Sequence, residues 1–196
     1  MDEDENPWFD FHLETEKYYE EDSFDDEDNE EEDWKAKIVW SNYHKCTISS
    51  TEWDTGGFRL DTQNKKFSFS TLANQTFLID TLPLKRNFDY EDLAFKIYLL
   101  GHDSCAGHEI SFTKQNNLAF HILWKGKIAL TYSGEEEFNY EFIALIDSAE
   151  FDGFYLPKGV TKEKAINIFS EKMDSLENFE LVELTVERKY KLRLKP

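Results

Sequence analysis

Apolar residues recurring at every second position constrain this chain more than any other feature. Phe95, Ile97 and Leu99 alternate within the run 93–100, and Leu118, Phe120, Ile122 and Trp124 do the same further on. Phe138, Tyr140, Phe142, Ala144 and Ile146 form a third such face. A period of two sends successive side chains to opposite faces of a pleated strand. The runs are divided by short turn signals, which is the pattern of antiparallel sheets with sequential neighbours. Lys66–Ser70 and Thr76–Asp80 extend the β pattern upstream, the second halted by Pro83. Lys125-Gly126 reads as a hairpin turn whose return arm carries Ile128, Leu130 and Tyr132. His102–Gly107 reads as a polar loop.

The pattern changes once. Pro157-Lys158-Gly159 breaks it, Thr161 can cap a helix, and Glu163 falls in the first turn. Ala165, Ile168, Phe169, Met173 and Leu176 then recur at steps of three and four. That spacing predicts an amphipathic helix near 162–176. In the last run, Val182, Leu184, Val186, Tyr190, Leu192 and Leu194 share one strand face, and charged residues share the other. The expected fold class is α+β. It is predominantly antiparallel β-sheet, sandwich- or meander-like, with one helix and a C-terminal strand.

Charge divides the chain unevenly. The net charge is −19, from 41 acids and 22 bases. Residues 1–33 hold 18 carboxylates and one cation, Lys17, which leaves 23 acids against 21 bases in the other 163 residues. The expected organisation is an acidic arm, 1–33, on a nearly neutral, mostly β domain, 34–196. Such an arm repels phosphates and anionic bilayers, so nucleic acid and membrane surfaces are not expected partners. Trp8, Phe9, Phe11, Leu13, Tyr18, Tyr19 and Phe24 interrupt the acids. Those rings either dock on the protein's own body or anchor a partner. The cationic strip Arg188, Lys189, Lys191, Arg193 and Lys195 is a solvated sheet face or a seat for the arm.

Reactive side chains concentrate in one place. His102, Cys105 and His108 follow one another at three-residue spacing beside Asp103 and Glu109. Zinc needs three or four such ligands at one point. No second ligand pair completes the set, so the plainer reading is a polar β connection with a small cysteine. No GxSxG, phosphate loop, HExxH or dinucleotide fingerprint occurs. No cofactor is expected. The start Met1-Asp2-Glu3-Asp4-Glu5 lacks the basic and apolar regions of a secretory leader, and two cysteines suit a reducing compartment. A cytoplasmic location is expected.

The function these features favour is a non-enzymatic binding protein that caps a basic partner protein. An immunity-type inhibitor of a secreted bacterial toxin is its concrete form. Trp8, Phe11, Tyr18 and Tyr19 would supply anchors, and Glu20, Glu21, Asp22, Asp25 and Asp26 the complementary charge. A metal-dependent module built on 102–109 is the alternative. An acidic escort for nucleic-acid-binding proteins is a third reading.

Overall fold

The computed structural model describes residues 7–15, 46–51, 57–60, 66–98, 102–115, 119–156, 159–184 and 189–195. Three long strands form its centre: β7 (His102–Lys114), β8 (Ala119–Ala129) and β9 (Tyr140–Glu150). Six shorter strands come before them. They are β1 (Trp8–Phe9), β2 (His12–Glu14), β3 (Thr47–Ser49), β4 (Phe58–Arg59), β5 (Thr76–Ile79) and β6 (Lys96–Tyr98). The main sheet runs β2-β3-β6-β7-β8-β9, with β5 beside the far half of β7. Among the described residues every strand pair of this sheet is antiparallel, and the sheet curls into a half-barrel. The mostly antiparallel β architecture is therefore observed. Bulges between Ala106 and Glu109 and between Phe120 and Ile122 help the curl, because an extra residue bends and twists its strand. A smaller sheet orders β10 (Phe154–Tyr155), β12 (Lys189–Leu194) and β11 (Phe179–Leu184). Among the described residues no helix is long and apolar enough to cross a membrane.

Several local expectations are corrected. The segment His102–Gly107 is the first half of β7, with no loop. Ser104 pairs with Lys96 on one side and Ala129 on the other. Its polar groups are absorbed by the 3₁₀ turn Thr131–Ser133, where Tyr132 N–H donates to Asp103 Oδ1 at 3.0 Å. Lys125-Gly126 is not a turn either, because β8 runs straight through it. Gly126 is needed for close approach: a Cβ there would lie 2.6 Å from Phe142 Cζ and 2.9 Å from His108 Nδ1. Gly126→Ala should therefore cost about 1–3 kcal/mol by overpacking. Urea denaturation checks this, and a loss under about 0.5 kcal/mol would rule the account out.

Phe67 makes an isolated parallel bridge to Met173, not a strand. The chain then turns into the single helical turn α1 (Phe69–Leu72), with Ser68 O accepting from Thr71 and Leu72 N–H. The predicted helix is α2 (Lys162–Lys172), with Thr161 Oγ1 accepting from Lys164 N–H at 3.2 Å. It stops short of 176 because the bridge captures the chain: Phe67 N–H donates to Lys172 O and Asp174 N–H to Phe67 O.

The C-terminal run is a hairpin, where one long strand was expected. Antiparallel pairing sets Leu181 against Leu192 and Phe179 against Leu194. Paired residues have opposite parity, so Phe179 and Leu181 join Leu192 on the packed face, and Val182 and Leu184 take the other. The connection 185–188 lies outside the described residues, as do residues 35–40, whose sequence alternation predicts a short strand, and most of Asp54-Thr55-Gly56-Gly57, whose sequence predicts a turn.

Residues 7–15 are woven into this fold. β1 pairs with β4, and β2 with β3. The Phe9 ring packs on Phe58, Phe67 and Phe112 with centroids 5.6–6.0 Å apart. Phe11 is half-buried, 5.5 Å from the Trp124 ring. At this end of the acidic segment the rings touch the protein's own body.

Candidate functional site

A concave feature lies where the main sheet meets the small one. It is a cavity of about 720 Å³. One wall is the N-terminal segment, with Trp8, Phe9 and Phe11. The floor is the inner face of β7–β9, with Phe112, Phe120, Ile122 and Ile146. The far wall is the corner Phe151–Tyr155. Period-two alternation puts the floor residues on one face, and β1 pairing with β4 swings the Trp8–Phe11 rings over it.

The rim is acidic and ordered. Asp10, Glu150 and Asp152 line it. Asp10 Oδ1 accepts from Ser50 Oγ at 3.2 Å. Asp152 accepts from Lys191 Nζ at 2.5 Å and from the Tyr155 hydroxyl. Those two hydrogen bonds, with Lys191 the larger influence, hold the Asp152 carboxyl below the usual carboxylate range. Lys191 Nζ also sits 5.0 Å from the Tyr155 ring centroid, a cation–π contact. Among the described residues, the buried Trp8 Nε1–H of this wall has no hydrogen-bond partner. A buried donor without a partner costs about 1–3 kcal/mol, so a ligand carbonyl or carboxylate reaching it would remove that penalty.

The sequence-predicted residues divide. Trp8 and Phe11 line this cavity together. Tyr18, Tyr19, Glu20, Glu21, Asp22, Asp25 and Asp26 lie outside the described residues. Of the basic strip, Arg193 pairs with Glu180 at 2.7 Å, Lys191 with Asp152, and Lys195 Nζ donates to Glu177 O at 2.5 Å. Those cations already have partners within the body.

The reactive cluster of β7 is dispersed. His102 is exposed at the strand's start, while Cys105 and His108 are buried. Cys105 Sγ donates to Phe95 O at 3.3 Å. Burial, with Asp80 and Cys46 adding, pushes its thiol well above the ordinary range and keeps it protonated. His108 Nδ1 accepts from Trp124 Nε1–H at 3.1 Å, so the proton of the neutral ring is on Nε2. Burial draws the His108 pKa down to about 4. Among the described residues no group of three His, Cys, Asp or Glu side chains is placed to hold a metal ion.

A hydroxyl–imidazole–carboxylate line does occur. His12 Nδ1 is 3.0 Å from Ser49 Oγ, and its Nε2 is 3.4 Å from Glu14. Ser49 is fully buried, so an acyl carbon cannot reach Oγ. The serine acts as a strand-to-strand tie.

Asp152, Phe154 and Tyr155 were not singled out from the sequence. Their signal is the density of rings around Asp152-Gly153 in the run 151–155. No family model matches the chain, and neither a curated protein nor a solved structure does.

Proposed function

We propose that this protein is a non-enzymatic binding protein that caps a basic partner protein. The aromatic cavity with its acidic rim carries the reading. Apolar walls of that volume accept one or two large side chains, and anchors seated in such pockets supply most of the affinity of a typical interface. The unmatched Trp8 N–H offers a partner carbonyl a hydrogen bond. Charge does the rest: the carboxylates of residues 1–33 favour a cationic surface and speed its encounter. An immunity-type inhibitor of a secreted bacterial toxin is the concrete form, since it needs one partner and no chemistry. The metal-module reading draws no support from the buried and hydrogen-bonded Cys105 and His108.

The experiment captures partners with the full chain from its native cells. It then times association of the principal partner at low and high salt. The acids Glu20, Glu21, Asp22, Asp25 and Asp26 are replaced by their amides in place, because deleting 1–33 would also remove β1 and β2. We expect one dominant basic protein. We also expect a slowing of association by tenfold or more in the neutralised variant, within the ~10–10³ range of electrostatic steering. The salt dependence should flatten with it. A spread of many basic proteins would favour the escort reading. Unchanged association kinetics would refute steering by these acids.

A further inference from the structure

We propose that β9 is a strand-addition edge for an extended segment of a partner protein, one that carries two aliphatic side chains two residues apart, flanked on the same face by cations. This goes beyond the cavity reading, since it uses the outer face of the sheet and the cavity uses the inner one.

β9 is the last strand of the main sheet, and among the described residues it pairs only with β8. Every second residue of such a strand turns its N–H and C=O away from the sheet. Natural edges are guarded by charged side chains, Lys above all, by Pro or by bulges. The stretch Tyr140–Ile146 has no Lys, Pro or bulge; its one charge is Glu141, and its pairing with β8 is regular from Ile128↔Tyr140 to Ile122↔Ile146. The bulge comes only afterwards, between Ile146 and Ala149.

The outer face of this edge reads Glu141, Ile143, Leu145, Asp147. Ile143 is 65% exposed and Leu145 75%. Leu123 lies beside Leu145 on β8, so the two aliphatics continue into the sheet. Exposed aliphatics of this kind, on an edge that pairs with no further described strand, mark an interaction surface.

Charge selects the occupant. A second copy that paired antiparallel so as to set Ile143 against Leu145 would set Glu141 against Asp147, twice. Directly opposed like charges destabilise a strand pair. Lys127 lies 3.8 Å from Glu141 on the β8 side, and the carboxylate side chain remains 75% exposed. A partner strand with Lys or Arg opposite Glu141 and Asp147 turns both clashes into attractions, and its aliphatics cover Ile143 and Leu145.

Two capped peptides, KTITVTK and ETITVTE, test this against the full-length ¹⁵N-labelled protein. We expect the basic peptide to shift the amides of β9 and its neighbour β8, and to bind at least tenfold more tightly than the acidic one. Leu145→Lys, at an exposed position that folding tolerates, should abolish binding. Glu141→Lys with Asp147→Lys should reverse the preference between the peptides. Equal affinities, shifts that map elsewhere, or a preference unaltered by the charge reversal would overturn the proposal. A dimer in sedimentation that Leu145→Lys dissociates would overturn it too, with a second copy as the occupant.

Discussion

Trp124→Ala should remove about 3–5 kcal/mol of stability, the range of large aromatic truncations in cores. A domain of ordinary stability has about 5–15 kcal/mol in all, so the variant should stand near the unfolding threshold. Trp124 is fully buried on β8. Its ring meets Phe95 at 4.6 Å, Phe11 at 5.5 Å, His108 at 5.7 Å and Phe142 at 6.3 Å between centroids. These neighbours come from four different parts of the chain. They cannot all collapse into the vacated space, because β6, β7 and β9 are held in register by the sheet. A second loss adds to the first: His108 Nδ1 would lose the hydrogen bond from Trp124 Nε1–H in a dry environment. Trp124→Phe separates the two contributions, since it keeps most of the ring volume and deletes the donor. It should cost distinctly less, about 1–3 kcal/mol. Equilibrium denaturation reads both as a lower midpoint at constant slope. A Trp124→Ala variant within 1 kcal/mol of the parent would mean that the core is not organised around this ring.

Acidification should destabilise the protein through His108, by about 3 kcal/mol over the whole window. In the unfolded chain the imidazole takes a proton near pH 6.5. In the folded chain it does not do so until about pH 4, because burial among Phe95, Trp124 and Phe142 disfavours the cation. Between these values the unfolded state binds more protons. Stability is therefore full above pH 6.5 and falls with decreasing pH, at up to about 1.4 kcal/mol per unit. Asp80 and Asp103 act in the opposite sense. Burial raises both carboxyls, with hydrogen bonds from Ala94 and Tyr132 as partial offsets, so the folded chain gains protons there first as acid is added. Their window lies above the ordinary carboxylate value of about 3.9. The His108 slope is accordingly cleanest at the upper end of its own window, from about pH 6.5 downward. His108→Gln can keep an acceptor for Trp124 Nε1–H while removing the titration. Its stability should change little across that interval, whatever its absolute value. An unchanged slope in the variant would assign the acid sensitivity to other groups.

Local periodicity carried the sequence reading as far as local physics reaches. Alternation in 118–124 and 138–146 marks β8 and β9 because one face of each is packed against the core. Thr161 and the three-four spacing after it mark α2 for the same reason. The misreadings have one cause, which is that the partner is distant in sequence. Gly126 looks like a turn until Phe142 and His108 are seen to press on it. Phe67 alternates with its neighbours like a strand residue, yet Met173, more than a hundred residues on, decides its pairing. The residues 185–188 between β11 and β12 include no Gly, Pro, Asn or Asp, so the alternation in the sequence passes from one strand to the other unmarked. The site follows the same rule. Trp8 and Phe11 stood out as rings among acids, which no solvating tail requires. Phe112, Ile146 and Phe154 read as ordinary core residues, and only the curl of the sheet gathers them with the N-terminal segment into one wall.

The ladder between β2 and β3 has a topological consequence. Thr15 N–H donates to Cys46 O at 3.0 Å, and Cys46 N–H to Thr15 Oγ1 at 2.9 Å. Twelve of the 18 carboxylates of residues 1–33 fall between these two anchors, within 16–33. The acidic stretch is therefore bracketed at both ends, not hung from one. A single peptide-bond cleavage inside 16–45 would divide the polypeptide into two pieces without releasing either. The shorter piece would stay seated through Phe9, Phe11 and its strand pairs, as a non-covalent complement to the longer one. The acids would then be shared between two loose ends on one intact body, and closing that 30-residue circuit would no longer limit how far they extend.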